Sequence, residues 1–378
     1  MKYFLNILLF SLLLNSINCS FQSAIFNRIN KEKKGENVII SPLSIFQILS
    51  LTTNGAKGNT QLQMLDVLQS KDIEELNDIN YEILSIFSKF KTVEIANAVM
   101  TKFDPLEDFA KIAENYLAPI EPLISVDQVN NWCSNKTHGK IDKILDELSD
   151  AAAMILINAV YFKGVWSSKF ESSLTKKLPF YNFGTEEINV ETMKQIEHFR
   201  FYEDKKVKAI ELPFKDDHMS AIIILPSEEI DINKYIDTLS ISNDEYSKII
   251  NGLNYVKVDL QLPKFELKYE QKLNDILIDL GMYDAFSLND ADFTGLRKEK
   301  DLFINRVIHK TYLKVFEDGC EAAGATVVEI AFGGLPREEK IYEMKVNRPF
   351  LFLLKNSKLP IGYDLLFMSK IEHLDEKN

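Results

Sequence analysis

The sequence predicts an α+β fold, and three observations support it. Helical and strand-like stretches are mixed along the chain without the regular βαβ alternation of a doubly wound sheet. From Phe180 onward strand-like segments dominate. The hydrophobic content of 46% and charged content of 26% are those of an ordinary soluble globular chain, and 378 residues can bury a substantial core. Length alone would suggest two or three domains, but no internal repeat or low-complexity linker divides the chain.

The first residues, MKYFLNILLFSLLLNSINCS, carry one Lys, an apolar core from Phe4 to Leu14, then small and polar residues. This is the layout of a secretory signal peptide spanning 1–19, so the mature chain is expected to be secreted and extracellular. The apolar run is roughly half the about twenty residues that a membrane anchor needs. Phe21 to Ile29 reads as a helix with Phe21, Ile25, Phe26 and Ile29 on one face. Val38–Ile40 reads as a short buried strand, and Ser41 and Pro42 open a helix that stops at Gly55 and Gly58. The run Gly55-x-x-Gly58-Asn-Thr60 lacks the Gly-Lys-Ser/Thr of a phosphate loop and reads as a helix-stop turn.

Residues 71–90 are acidic and helical, Val93–Met100 is a strand, and Asn130–Leu145 is a helix interrupted near Gly139. Met154–Phe162, apolar apart from Asn158, predicts a strand buried on both faces. Further strands are expected at Val190–Met193, Phe199–Tyr202, Ala209–Leu212, Ala221–Leu225, Val256–Pro263, Arg306–Ile308 and Leu313–Phe316, with a helix at Tyr269–Leu280 ending at Gly281.

The stretch Glu317–Phe350 is read in two ways. Its first part, Gly319 to Thr326, is nearly all small and has little apolar surface to anchor it, which suits an exposed loop. At a period of two, however, Cys320, Ala322, Gly324, Thr326, Val328, Ile330 and Phe332 form one uncharged face, while Glu321 and Glu329 lie on the other. A loop that can become a strand accounts for both patterns.

A formal charge of −12 without a basic run argues against nucleic acid and polyanionic sugars as partners. The chain contains no Gly-x-Ser-x-Gly, His-Glu-x-x-His, Cys-x-x-Cys or Gly-x-Gly-x-x-Gly, and its five histidines are widely spaced. No catalytic residue, metal site or cofactor is therefore expected. His309, at the end of a strand-like run, reads as a structural histidine. Cys19 would leave with the leader, and Cys133 and Cys320 are read as free thiols, the second in the mobile stretch. Asn135-Lys136-Thr137 is a glycosylation sequon at Asn135.

Together the motifs resemble the serpin family over nearly the whole mature chain. They include Ser41-Pro42-x-Ser44, Asn131-Trp132, Asn158-Ala159-x-Tyr161-Phe162-Lys163-Gly164-x-Trp166, Glu211-Leu212-Pro213-Phe214, Pro263-Lys264-Phe265, His309-Lys310, the hinge Glu317–Thr326 and Asn347-Arg348-Pro349-Phe350. The resemblance implies a single domain over 20–378, with three β-sheets, eight or nine helices and an exposed reactive-centre loop at about 317–346. It also implies a monomer able to form loop-sheet polymers, which is no enzyme but a suicide inhibitor of serine proteases, the alternative being a non-inhibitory member acting as carrier or chaperone. The protease attacks the loop and becomes a covalent acyl-enzyme, and the cleaved loop then inserts as a strand into the main sheet.

By the same resemblance, Glu317, Gly319, Cys320, Glu321, Ala322, Ala323, Gly324, Ala325 and Thr326 form the hinge. Its small uncharged inward residues leave insertion unobstructed. Cys320 stands where Thr is usual and is expected to present an exposed, oxidisable thiol. Trp166 and Lys264, with Glu317, mark where the loop meets the sheet, and Ser41, Ser44, Asn158 and His309 form a polar cluster beneath its parting strands.

By the same resemblance the residue before the scissile bond lies sixteen positions after Glu317, at Gly333, or at Phe332 with one residue of slack, whereas counting back from Asn347 gives the opposite preference; Gly334 and Arg337 are the other candidates. Cleavage after Arg337 would lengthen the tether by about 13 Å. A chymotrypsin-like or elastase-like target is therefore preferred to a trypsin-like one. Heparin activation is not expected, because residues 71–90, where the resemblance places the family's cofactor helices, are acidic. Ser369, where Gly is usual, puts the local strand geometry in question.

Overall fold

The computed structural model describes residues 20–87, 93–149, 152–215, 218–241, 243–320 and 339–376. The segment read as a signal peptide, residues Glu321 to Thr326 of the expected hinge, and the scissile-bond candidates Phe332, Gly333, Gly334 and Arg337 lie outside these residues.

In chain order the elements are α1 (Phe21–Glu32), β1 (Val38–Ile40), α2 (Pro42–Gly55), α3 (Gly58–Leu68), α4 (Ile73–Phe87), β2 (Val93–Thr101), α5 (Glu107–Asn115), β3 (Ile120–Pro122), α6 (Val126–Lys136), β4 (Met154–Phe162), β5 (Gly164–Val165), β6 (Lys176–Asn182), β7 (Glu186–Glu203), β8 (Val207–Pro213) and β9 (Met219–Pro226). They continue with α7 (Ile232–Ile241), α8 (Asn243–Gly252), β10 (Asn254–Pro263), β11 (Phe265–Lys272), α9 (Asn274–Asp279), β12 (Arg306–Phe316), β13 (Gly319–Cys320), β14 (Tyr342–Lys345), β15 (Phe350–Asn356) and β16 (Leu365–Ile371). Nine α-helices are thus present among the described residues.

Hydrogen bonding joins the strands into a seven-stranded sheet (β3-β2-β4-β12-β13-β5, with β11 on β12) and a nine-stranded one. The larger is two sheets sharing β7. That strand pairs with β6 over 186–192 and with β10 over 192–201, whereas only its last four residues, 200–203, pair with β8. Counted this way there are three sheets, as the resemblance implies.

Helix α2 lies between the sheets, against β2 and β4 on one side and β16 on the other, and every residue from Pro42 to Gly55 is buried. A helix buried all round must satisfy its polar side chains internally. It does so by bonding back one turn: Ser50 Oγ donates to Phe46 O at 2.7 Å, Thr52 Oγ1 to Ile48 O and Thr53 Oγ1 to Leu49 O, both at 2.8 Å. The seven-stranded sheet is covered on both faces. Leu156 and Val160 of β4 join the main core, while Ile155, Ile157 and Ala159 meet Val129, Cys133 and Ile144 on the far side. This double burial explains the unbroken apolar run of β4.

Three expectations are corrected. Tyr269–Lys272 belongs to strand β11, paired residue for residue with β12, and only 274–279 is helical. Its outward-facing charges alternate with Phe265, Leu267, Tyr269 and Gln271, and strand pairing overrode a helical reading of the same residues. The helix expected to resume after Gly139 does not. Asn130 instead caps that segment, its Oδ1 accepting from Ile144 N at 2.8 Å and Leu145 N at 2.9 Å. The strands foreseen separately at 190–193 and 199–202 are one, as are those at 306–308 and 313–316, because their polar interruptions point to solvent or into a polar cluster. Ser369 pairs in register with Ile39 and Phe352, so its strand geometry is regular.

Candidate functional site: the seam between β4 and β12

Strands β4 and β12 run parallel, pairing Ile155–Val160 with Arg306–Thr311. Both continue beyond that pairing. There β12 takes a new partner on the same side: the chain turns at Glu317 and Asp318 and returns as β13, antiparallel, with Cys320 opposite Val315 and Gly319 opposite Phe316. Strand β5, the continuation of β4, pairs with the other edge of β13, Gly319 opposite Val165 and Cys320 opposite Gly164. Gly319 and Cys320 therefore lie in the seam, between the ends of the two strands.

Two glycines permit this. Gly319 has φ +149, and a Cβ built on it would lie 2.0 Å from Gly164 O and 2.9 Å from Val165 Cα. Cys320 is fully buried, and burial pushes its thiol well above the ordinary range. This corrects the expectation of an exposed, oxidisable thiol: the residue belongs to strand β13. Cys133 is also a buried free thiol, pushed up to about 12 by burial.

The top of the seam is pinned by side chains distant in sequence. Trp166 stacks on Phe214 (centroids 4.4 Å apart, planes at 14°) and its Nε1–H donates to Phe316 O at 3.0 Å. Its backbone N–H donates to Asp318 O at 3.0 Å. Lys264 Nζ lies 3.2 Å from Glu317 Oε1 and 2.9 Å from Glu191 Oε2, and Thr175 Oγ1 donates to Glu317 Oε1 at 2.8 Å. Burial alone would raise the Glu317 carboxyl, but its own backbone N–H, Thr175 and Lys264 outweigh that and hold it below the usual range. Lys169 grips Asp318 at 2.5 Å. The three residues expected here do converge, although Trp166 holds the backbone beside Glu317 while Lys264 holds its carboxylate. Thr175, Glu191, Lys169 and Asp318 were missed, and their wide separation in the chain leaves no local signal. Trp166→Phe keeps an aromatic ring on Phe214 but removes the Nε1–H donor to the Phe316 carbonyl. A loss of about 1–2 kcal/mol in urea unfolding is expected.

Lower down, the four residues of the polar cluster meet across the seam. His309 and Asn158 are register partners, and His309 Nδ1 lies 2.5 Å from Asn158 Oδ1. Ser41 N donates to His309 Nε2 at 3.0 Å, so Nε2 is the acceptor and the neutral ring carries its proton on Nδ1, donating to Asn158. From α2, Ser44 Oγ reaches Asn158 Oδ1 at 2.8 Å and Ser41 O at 3.0 Å, and Asn158 Nδ2 donates to Asn97 Oδ1 at 2.5 Å. Complete burial lowers the His309 pKa to about 3. A neutral, hydrogen-bonded cluster thus ties the two strands and the helix beneath them. Asn97 was not foreseen.

At the sequon, Asn135 is exposed near the end of α6, but Thr137 is buried, its hydroxyl donating to Cys133 O at 2.8 Å and accepting from Ile141 N at 3.1 Å. Among the described residues no group of His, Cys, Asp or Glu could hold a metal ion, and no helix is long and apolar enough to cross a membrane.

The family sequence model described as "Serpin (serine protease inhibitor)" matches residues 16–373. A leukocyte elastase inhibitor of Xenopus tropicalis is 31% identical over 91% of this chain and 96% of its own length, and an uncharacterized serpin-like protein of Methanosarcina acetivorans is 31% identical over 94% and 85%. Among solved structures, the thermophilic serpin tengpin in its native state superposes with a TM-score of 0.84 at 32% identity, covering 94% of this chain and 92% of that one. Sequence, sheet topology and seam agree, and the chain belongs to the serpin family.

Proposed function

We propose that this serpin is an inhibitor that traps a serine protease as a covalent acyl-enzyme by inserting its cleaved loop between β4 and β12, and that it is exported. The carrying observation is the register of β13. Continued without a shift, it sets Ala322 opposite Leu313 and Phe162, Gly324 opposite Thr311 and Val160, and Thr326 opposite His309 and Asn158. Insertion would replace one parallel pairing with two antiparallel ones, which are somewhat stronger per residue. The small residues at 322–325 suit this path. The cost is the His309–Asn158 bond, which Thr326 would have to part, so the cluster acts as the lock on the seam.

In the reaction the protease serine attacks the scissile carbonyl, the new amine end leaves with the C-terminal part of the loop, and the acyl ester remains on the inserting strand. The elastase-inhibitor relative supports a chymotrypsin-like or elastase-like target, with cleavage after Phe332 or Gly333. Export is supported by the leader pattern, which ends just before Ser20 caps α1 by accepting from Ser23 N at 3.3 Å.

Incubation with a panel of serine proteases is expected to yield an SDS-resistant complex with a chymotrypsin-like or elastase-like enzyme, and mass spectrometry of the released fragment locates the bond. Absence of any such complex, with no gain in Tm on loop cleavage, refutes the inhibitory reading. A fragment beginning at Glu338 would show that Arg337 is used and that the target is trypsin-like.

A further inference from the structure

The two strands that border the seam are in step along its whole length. Cys320 faces Val315 on β12 and Gly164 on β5, and lower down Arg306 faces Ile155; the same number of residues separates these two levels on each strand. A strand continuing from Cys320 without a shift therefore has a defined neighbour on both sides, down to residue 329 opposite Arg306 and Ile155.

The face toward α6 distinguishes one register from another. Strand β12 presents Lys314, Tyr312, Lys310, Ile308 and Arg306 there, and β4 presents Ala159, Ile157 and Ile155. From Cys320 downward the loop would bring Glu321, Ala323, Ala325, Val327 and Glu329 to this face. Glu321 falls between Lys314 and the exposed Lys163, and the small Ala323 falls beside the large Tyr312. Ala325 meets Lys310, whose charge is already held by Glu270 at 2.6 Å and by Lys143 O at 2.6 Å. Val327 falls between Ile308 and Ile157, which are 4% and 0% exposed. Glu329 meets Arg306, whose present partner is a poor one: Nη2 lies 3.9 Å from Glu147 Oε1, on a side chain 86% exposed. Size, polarity and charge thus match at all five positions.

We infer that Arg306 receives Glu329 of the inserted loop and that this pair fixes the register in which the strand comes to rest. This rests on the inhibitory reading. A strand that stopped two residues short would keep the same faces but set Glu329, in place of Val327, between Ile308 and Ile157. Burying a carboxylate among apolar side chains is costly. A slip of one residue would turn every inward side chain outward. The two-residue slip would also leave the tethered end about 7 Å short of its final place, at the usual strand rise. A protease carried less far is less distorted, and water then hydrolyses the acyl ester, freeing the serine and leaving a carboxylate on the loop. The pair forms only after acylation and insertion, so it acts on the lifetime of the trapped complex and not on recognition of the loop.

The test compares Arg306→Glu, Glu329→Arg and the two together with the wild type, each trapped with the protease that the panel identifies. Arg306 lies outside the loop, so replacing it leaves the recognition sequence intact. The Arg306→Glu complex is expected to lose its SDS-resistant band and return protease activity roughly threefold faster than wild type or more, the scale of a cross-strand ion pair turned repulsive. Its association rate should stay within about twofold of wild type, and the charge-swapped double variant should recover a lifetime within about twofold. Equal lifetimes for Arg306→Glu and wild type, or a double variant that decays as fast as the single ones, overturn the register pair while leaving the inhibitory function intact. A wild type that traps no protease overturns both. Should Arg306→Glu lower the Tm of the uncleaved protein, Arg306→Gln decides. Its complex is expected to decay faster than wild type in dilute buffer and at the same rate in about 1 M salt, where charges are screened within about 3 Å. The same lifetime as wild type in both overturns the pair.

Discussion

Replacing Gly319 with valine is expected to unpair β13 and make the Cys320 thiol reactive. Even the first added carbon would lie 2.0 Å from Gly164 O, and because that neighbour is backbone no rotamer change relieves the contact. The φ of +149 adds strain for any side chain. Gly164 offers no room in return, since it is itself packed against Phe162 and Phe214. Overpacking and backbone strain together place the cost on the order of 3–5 kcal/mol. Opening the short strand, and not the whole domain, is the cheapest relief. The measurement is twofold: urea unfolding, and labelling of Cys320 by a thiol reagent with the modified site mapped by mass. Wild-type Cys320 and Cys133 are both buried and should stay silent, whereas Gly319→Val should label at Cys320 alone. A variant as stable as wild type with an unreactive Cys320 would contradict the close approach of β13 to β5.

Acid should act on the seam through His309, and Asp364 should partly hide the effect. The folded pKa of His309, about 3, lies below its ordinary value of 6.5. Its neutral form therefore contributes stability that is complete above about 6.5 and is lost as pH falls toward about 3, to a bound of roughly 5 kcal/mol. Asp364 works the other way. Burial raises it from 3.8 to about 6 despite Lys355 and the Tyr246 hydroxyl 3.0 Å away, so its protonated form favours folding below about 4 and that contribution is lost as pH rises through 6. Between about pH 4 and 6 the two slopes offset each other. Asp364→Asn, which keeps an acceptor for Tyr246, is expected to uncover the histidine: its folding constant should fall up to tenfold more per pH unit than that of wild type across this window. His309→Gln should reverse the trend, gaining stability relative to wild type as pH falls. Unfolding curves at pH 4, 5, 6 and 7 decide it. Parallel profiles for Asp364→Asn and wild type would mean that Asp364 titrates normally, and a flat Asp364→Asn profile across this window would mean that His309 does.

How much of this was legible in the chain depends on the range of the interactions involved. The unbroken apolar run of β4, the proline-opened helix α2 and the small, two-faced stretch after Glu317 follow from local pattern. Tyr269–Lys272 shows the limit. It satisfies a helical pattern as well as a strand pattern, and only the free edge of β12 beside it selects the strand. Cys320 shows a second limit, because in a run of small residues the membership of one of them in a strand is set by a partner, here Gly164, far away in the sequence.

By itself, then, the sequence determined the α+β class, the family and the residue types at the seam. Those properties rest on side-chain size, polarity and order along the chain, which are present before folding. Only the tertiary structure decided that His309, Asn158, Ser41 and Ser44 form one bonded cluster, that Thr175 and Lys169 join Lys264 and Trp166 in holding the turn at Glu317 and Asp318, and that Cys320 is buried. Each of these depends on strands being brought into register from positions more than a hundred residues apart. Hydrogen bonds act over about 3 Å and require direction, so no pattern along the chain encodes them until the sheet has set the distances.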